Sequence, residues 1–323
     1  MMKIVTKRTW VLFIIVAAVA VGGILFLVRS KQPTLPLKKG AHIVLIGNNL
    51  GSRMMNYGHF ETELQLRYPD SNLYIRNMCD GGNTPGFRPH ASRKSPWAFP
   101  GAENFQTDLA QPSGSEGFFE TEDQWLARLK ADIIIAFFGY NESFEGAEGL
   151  ENYKSELDAF IKHTIKQQYN GTSPVKLALV SPIAFENLSK QYDLPDGNQE
   201  NRNLSLYAAA MKEIAAKNNV HFVDVYNPTE RWYFWTKEPL TIDGSQLTDA
   251  GYARFAPLLA DLIFGKADVK NEDNRDLIRH AVLEKIGCGI TILKFRMGYM
   301  LMVEDMIHLG LIITLLKLRK SEK

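Results

Sequence analysis

From residue 41 onward, short apolar runs alternate with stretches whose apolar positions recur every three or four residues. HIVLIG (42–47), NLYIRNM (72–78), ADIIIAFFG (131–139), VKLALVSP (175–182) and HFVDVY (221–226) predict strands. Their near-continuous apolar character predicts a parallel sheet covered on both faces. Residues 149–168, 201–218 and 247–264 predict helices. In the second of these, Leu204, Tyr207, Ala208, Met211, Ile214 and Ala215 fall on one face. This alternation predicts an α/β fold, a three-layer αβα sandwich with a central parallel sheet and right-handed crossovers. No internal repeat is visible.

The pattern differs at the N-terminus. Residues 1–9 are basic, with Lys3, Lys7 and Arg8, and residues 10–28 carry no charge. At about 1.5 Å per residue the run nearly matches a bilayer core of about 30 Å. It predicts one transmembrane helix, an uncleaved signal anchor, with a cleaved signal peptide as the rival. Arg29, Lys31, Lys38 and Lys39 follow the run, so local charge does not fix the orientation. A long following domain can be translocated regardless of charge, and an extracytoplasmic domain is expected. Residues 29–40, with two prolines and four positive charges, read as a linker. The folded domain is expected over residues 41–267.

Two further stretches break the alternation. Residues 84–122 are rich in Pro, Gly, Ser and aromatics. An insert of this length is usually functional or disordered. Phe87, Trp97, Phe99 and Phe105 leave two readings, a lid or pocket wall and a packed surface cover. The C-terminal extension, 268–323, turns at residue 286 into an apolar stretch without a clean period.

Composition narrows the function classes. The 323 residues carry a formal net charge of +1, so no basic field draws nucleic acid. The two cysteines, Cys79 and Cys288, lack metal-type spacing and are expected to be unpaired. No cofactor or metal is expected.

In open α/β sheets, ligands sit beyond the carboxyl ends of the strands. The first strand ends in Gly47-Asn48-Asn49-Leu50, and the second runs into a turn with Gly81 and Gly82. The third leads to Gly139-Tyr140-Asn141-Glu142-Ser143, and TIDGSQLTDAGY (241–252) places Asp243 ahead of a helix beginning near Thr248.

Four such blocks in this order resemble the SGNH hydrolases, or GDSL esterases. The resemblance covers residues 41–265 and implies an SGNH/flavodoxin-like fold and action on ester bonds, including carbohydrate esters. In that family the first block reads Gly-Asp-Ser-Leu with a nucleophilic serine, and the last reads Asp-x-x-His. Gly82 and Asn141 match the oxyanion-hole donors, and Asp243 matches the aspartate that orients the histidine. A narrower resemblance is to exported SGNH-like proteins of environmental bacteria, whose domain often precedes membrane-associated dehydrogenase and haem modules. It implies association with redox modules, although this chain has no Cys-x-x-Cys-His. In plausible codons read one nucleotide out of step, residues 286–310 spell a peptide resembling the segment that follows the domain in longer relatives. A shifted reading frame over 286–323 is therefore one expectation for the tail.

The departures decide the chemistry. Asn48 stands in the aspartate position, Asn49 in that of the nucleophile, and Gln246 in that of the histidine. An acyl-transfer triad needs a group that can lose a proton and a base to take it. Amides do neither near neutral pH. Ser52 is the candidate substitute nucleophile, with a helix N-cap as its plainer reading. Ser245 adjoins Gln246. His59 and His90 are the next histidines along the chain after Ser52, His90 reading as a solvated loop residue. Glu142 reads as a surface charge that could serve as a carboxylate base. Asn141 could instead pin strand-end loops. Trp232 and Trp235 suit a rim that stacks on sugars, or core packing. Two functions are expected from these residues: an ester hydrolase with a degraded triad, or a non-catalytic ligand-binding pseudo-hydrolase.

Overall fold

The computed structural model describes residues 34–90, 93, 95–106 and 120–295, the last eight by backbone alone. The expected membrane helix at 10–28, residues 107–119 of the insert and the tail from 296 lie outside the described residues. Among the described residues, no helix is long and apolar enough to cross a membrane.

Strand β1 (His42–Gly47) leads through one helical turn (Asn49–Ser52) to α1 (His59–Arg67) and β2 (Tyr74–Asn77). There follow α2 (Glu122–Arg128), β3 (Ile133–Phe137), α3 (Leu150–Thr164), β4 (Lys176–Val180) and α4 (Asn198–Lys217). The last described elements are β5 (His221–Val223), α5 (Tyr226–Trp235), α6 (Asp249–Phe264) and α7 (Arg275–Phe295). The five strands form one sheet in the order β2-β1-β3-β4-β5. Every pairing is parallel, with Val44 opposite Ile134 and Ile134 opposite Leu177.

The strands are apolar throughout because both sheet faces are buried. Val44, Ile46, Ile134, Ala136 and Leu179 pack on one side with Trp125 of α2, Phe160 of α3 and Met211 of α4. Ile43, Leu45, Ile135, Phe137 and Val180 pack on the other with Leu64 of α1 and Phe255 of α6. The three-layer α/β architecture is the one the alternation predicts.

Two details differ from the sequence pattern. The run HFVDVY stops being strand at Val223, and Tyr226 opens α5. The buried Ser181 hydroxyl accepts from the N–H groups of Val225 and Tyr226, at 3.0 and 3.1 Å, and turns the chain. Helix α1 was hidden because it buries polar side chains. Glu63 holds Arg67 at 2.7 Å and Arg275 of α7 at 2.9 Å, and Glu61 pairs with Lys285. Ile278 and Val282 of α7 pack on Leu66. The first part of the C-terminal extension thus docks on the domain.

The described part of the insert is a packed cover. Phe99 is buried in the core cluster, with Trp97 and Phe105 against it. The buried Glu122 carboxylate pairs with two buried guanidinium groups, Arg88 at 2.8 Å and Arg93 at 3.0 Å.

Candidate ligand site

The sheet order reverses direction between β1 and β3, and at that reversal open α/β sheets bind their ligands. Gly47 ends β1 at φ +116°, and a Cβ there would stand 2.1 Å from the carbonyl oxygen of Phe137. Only glycine permits this approach. It lets Asn48 N–H donate to that carbonyl at 2.9 Å. The Asn48 side chain is buried and accepts from Leu50 N–H at 3.2 Å, capping the turn that carries Asn49. At Gly51 a Cβ would lie 2.4 Å from the Cys79 sulfur. The ends of β1 and β2 are therefore in close contact, and Asn77 donates to the Gly51 carbonyl at 2.8 Å. Cys79 is a free, buried thiol, and burial pushes its pKa well up. Ser52 makes no side-chain cap bond, so Asn48 does the capping expected of it.

Asn49, the Gly81–Asn83 turn and Asn141 come together. The Asn49 side-chain oxygen lies 3.9 Å from where a Gly81 Cβ would stand. Gly82 is exposed, and its N–H has no partner among the described residues. Asn141 donates its amide to the carbonyls of Gly81 at 3.2 Å and Asn83 at 3.0 Å. That asparagine therefore ties the third strand end to the second. Glu142 is not the surface charge its sequence context suggests. It is buried, and one carboxyl oxygen accepts from Gly139 N–H at 2.8 Å. Its Oε1 and the hydroxyl of Tyr153 are buried without partners among the described residues. Burial, with Glu156 adding repulsion, raises the Glu142 pKa to about 8.

The last block folds tightly on itself. Asp243 Oδ1 accepts from Ser245 N–H at 2.9 Å, Ser245 Oγ at 3.0 Å and Gln246 N–H at 2.8 Å. Its Oδ2 accepts from the Gln246 amide at 2.7 Å. Partial burial opposes the anion, but these four donors outweigh it and hold the Asp243 pKa below the ordinary range. Thr248 caps α6 through its side chain, where the sequence places the helix start. The loop is anchored by Glu186, whose buried carboxylate accepts from the N–H groups of Leu240 and Thr241 and from the Thr241 hydroxyl.

Asn49 and Gln246 line one pocket with Arg53, Tyr140, Ser245 and Tyr252. Its free volume is only about 20 Å³, room for about one water. No histidine, cysteine or carboxylate lines it, and neither does Ser52. Of its two serines, Ser181, just after β4, is committed to the β5–α5 turn and Ser245 donates to Asp243. His59 bonds Asp249 at 2.8 Å beside α7 instead. His90 is half-buried edge-on to Trp125, rather than solvated.

A family model described as "GDSL-like Lipase/Acylhydrolase family" matches residues 88–254, more than half the chain. The chain belongs to this GDSL-like family. The match includes Asn141, Asp243 and Gln246, while Asn49 and Gly82 lie ahead of it. Among solved structures, one variant of Axe2, titled an acetyl-xylooligosaccharide esterase from Geobacillus, is 16% identical with a TM-score of 0.50. The alignment covers 74% of this chain and all of that one. A second variant, titled a catalytic mutant of an acetylxylan esterase from Geobacillus stearothermophilus, gives the same identity, coverage and score. At that identity the likeness shows a shared fold. No curated protein matches the chain.

Two residues of this GDSL-like site escape the motif blocks, Arg53 and Glu186, while Tyr140 lies inside the third block without a role of its own there. Arg53 follows Asn49 by four positions, one helical turn on. Glu186 sits in the run that leaves β4, where a carboxylate amid apolar residues was the available signal.

Beside the Asp243 loop lies a larger cleft of about 570 Å³, lined by Phe185, Gln191, Tyr233, Phe234, Trp235 and Lys237 among others. Phe185 forms the boundary, since a Cβ on Gly244 would meet its ring at 2.3 Å. Phe234 and Trp235 are 77% and 78% exposed and meet edge to face at 4.8 Å. Trp232 instead packs against the core, with the Arg254 guanidinium 4.6 Å over its ring.

Proposed function

We propose that this chain is a carbohydrate-ester recognition module on the ester-hydrolase fold, one that no longer performs acyl transfer through a serine, histidine and aspartate. The observation that carries this reading is the 2.7 Å bond from the Gln246 amide to Asp243, with Asn49 on the same pocket. It is the arrangement of a triad with both proton-handling members replaced by amides. The orienting carboxylate remains where there is nothing left to orient.

The ligand class rests on the neighbouring cleft. A volume of about 570 Å³ lies within the range of small-ligand sites. Exposed aromatic faces suit the C–H faces of sugar rings, and the polar groups around them suit hydroxyls. The two Axe2 forms, titled esterases of acetylated xylan or its oligosaccharides, share the fold and favour this class. Anchoring through residues 10–28 with the domain outside the cytoplasm, and association with redox modules, belong to the same proposal. Both rest on the sequence alone.

A second reading, residual ester hydrolysis, is favoured by family membership and by the 3.0 Å bond from Ser245 Oγ to Asp243. An aspartate held below its ordinary pKa is a weak base, and this ranks the second reading lower. The test is hydrolysis of p-nitrophenyl acetate and of acetylated xylo-oligosaccharides by the full-length chain. Recognition without turnover predicts rates equal to buffer. Turnover that disappears in Ser245→Ala would establish the second reading and remove the first.

A further inference from the structure

Exposed apolar side chains gather at the ligand end of the fold. Among the described residues, seven large apolar side chains stand out into solvent. Five of them, Phe144, Tyr192, Phe234, Trp235 and Ile242, lie on the segments that follow β3, β4 and β5. The other two lie on α4 and α7. Single exposed apolar residues are ordinary, but a set gathered at one end of a sheet points to a binding surface.

Phe234 and Trp235 line the large cleft, and Phe144 does not. A path of touching residues joins them. Phe185 lines the cleft and walls in Gly244. Ser245 follows Gly244 and shares the pocket over Asn49 with Tyr140. Tyr140 in turn meets Phe144 edge to face, with ring centroids 5.4 Å apart. The Asp243 loop between the two ends carries Ile242, 55% exposed.

Phe144 is 72% exposed, yet the turn beneath it is fixed. Ser143 Oγ donates to the Tyr140 carbonyl at 2.7 Å, and Phe144 N–H donates to the Asn141 carbonyl at 3.3 Å. The buried Glu142 carboxyl accepts from Gly139 N–H at 2.8 Å on the inner side. An aromatic ring presented by a fixed turn loses little freedom on binding. The pocket between the two ends has free volume for about one water, so a ligand that spans them lies over its mouth and does not enter it.

We infer that the ligand is a chain of sugars lying from the aromatic cleft over the Asp243 loop to Phe144, which forms a second, distal subsite. The inference rests on the proposed reading of the cleft as a carbohydrate site and extends it from a small sugar ester to a polysaccharide. A ligand touching Trp235 and Phe144 at once has to bridge the Asp243 loop, which calls for a chain and not a single ring. Sugar chains offer apolar ring faces for the aromatic ends and hydroxyls for the polar groups of the cleft wall, among them Gln191.

Isothermal titration of the full-length chain with xylobiose, and separately with xylohexaose, tests this. The parent should bind the hexaose more tightly than the biose. Phe144→Ala should weaken the hexaose about twofold to tenfold, as for loss of one ring contact, and leave the biose unchanged. Trp235→Ala should weaken both. Equal affinity of the parent for the two lengths would overturn the inference and leave the function reading standing, as would hexaose binding indifferent to Phe144→Ala. Self-association of the parent that Phe144→Ala abolishes, with hexaose binding unaltered, would assign the ring to a protein contact and overturn the inference. Binding of neither oligosaccharide removes the function reading and the inference together.

Discussion

Gln246 donates its side-chain amide to Asp243 at 2.7 Å, the bond that an imidazole N–H makes to its aspartate in a working triad. A histidine at 246 would make that bond through one nitrogen and present the other to the pocket. The scaffold thus retains the orienting half of the relay. Asn49→Ser combined with Gln246→His should raise p-nitrophenyl acetate turnover over the parent by about a hundredfold or more, the usual effect of a general base. Asn49→Ser alone should gain little, because no base faces the new hydroxyl. Equal rates for the double variant and the parent would show that the pocket is closed to esters by more than two side chains.

A second prediction concerns pH. Burial first, and then repulsion from Glu156, keep Glu142 protonated up to a pKa of about 8, against an ordinary value of 4.5. Between those values the unfolded chain has released the proton and the folded chain has not. Stability therefore falls as pH rises from about 4.5 and levels off above about 8, by about 1.4 kcal/mol per pH unit at most. Glu142→Gln keeps an acceptor for Gly139 N–H without the titration. It should melt at a higher temperature than the parent at pH 8 and at nearly the same temperature at pH 4. Parallel melting curves across that range would show that Glu142 is ionised in the folded protein.

The fold was legible because its determinants are local and periodic. Strands buried on both faces leave unbroken apolar runs such as IIIAF at 133–137, and α4 shows its apolar face in its spacing. The members of the site resembling triad positions were legible as motif blocks. What escaped notice depends on distant partners. Helix α1 hides its pattern because Glu61 and Glu63 are buried against Lys285 and Arg275, more than 200 residues away. Glu142 looks like a surface charge until the Gly139 turn and Tyr153 enclose it. Arg53 lies outside the triad-like blocks, and only the pocket shows that it shares a wall with Asn49.

The Arg88–Glu122–Arg93 cluster gives a third prediction. One buried carboxylate lies between two buried guanidinium groups, and Arg88 also donates to the Pro85 carbonyl at 2.9 Å. Removing one partner from a buried ion pair strands the other charge, at about 3–5 kcal/mol. Glu122→Ala should lower the stability in urea by about that amount. Hydrogen exchange in the insert should rise, because Arg93 also holds the Glu120 carbonyl at 2.9 Å. A loss below about 1 kcal/mol would mean that water already enters the cluster.

The aromatic cleft gives the last prediction. Trp235 is 78% exposed and stands at the end of α5, so its side chain contributes little to the core. A contact of its ring with a sugar face should be worth about 0.5–1.5 kcal/mol, as for other ring contacts. Trp235→Ala should then weaken binding of xylo-oligosaccharides between about twofold and tenfold, measured by affinity electrophoresis. Its melting temperature should match the parent, since a substitution at an exposed site away from caps and ion pairs rarely exceeds about 0.5 kcal/mol. Trp232→Ala should do the opposite. That ring packs against the core beneath Arg254, so its loss should lower the melting temperature and affect the sugar only through the fold. Equal retardation of the parent and Trp235→Ala by xylo-oligosaccharide gels would separate the cleft from carbohydrate recognition.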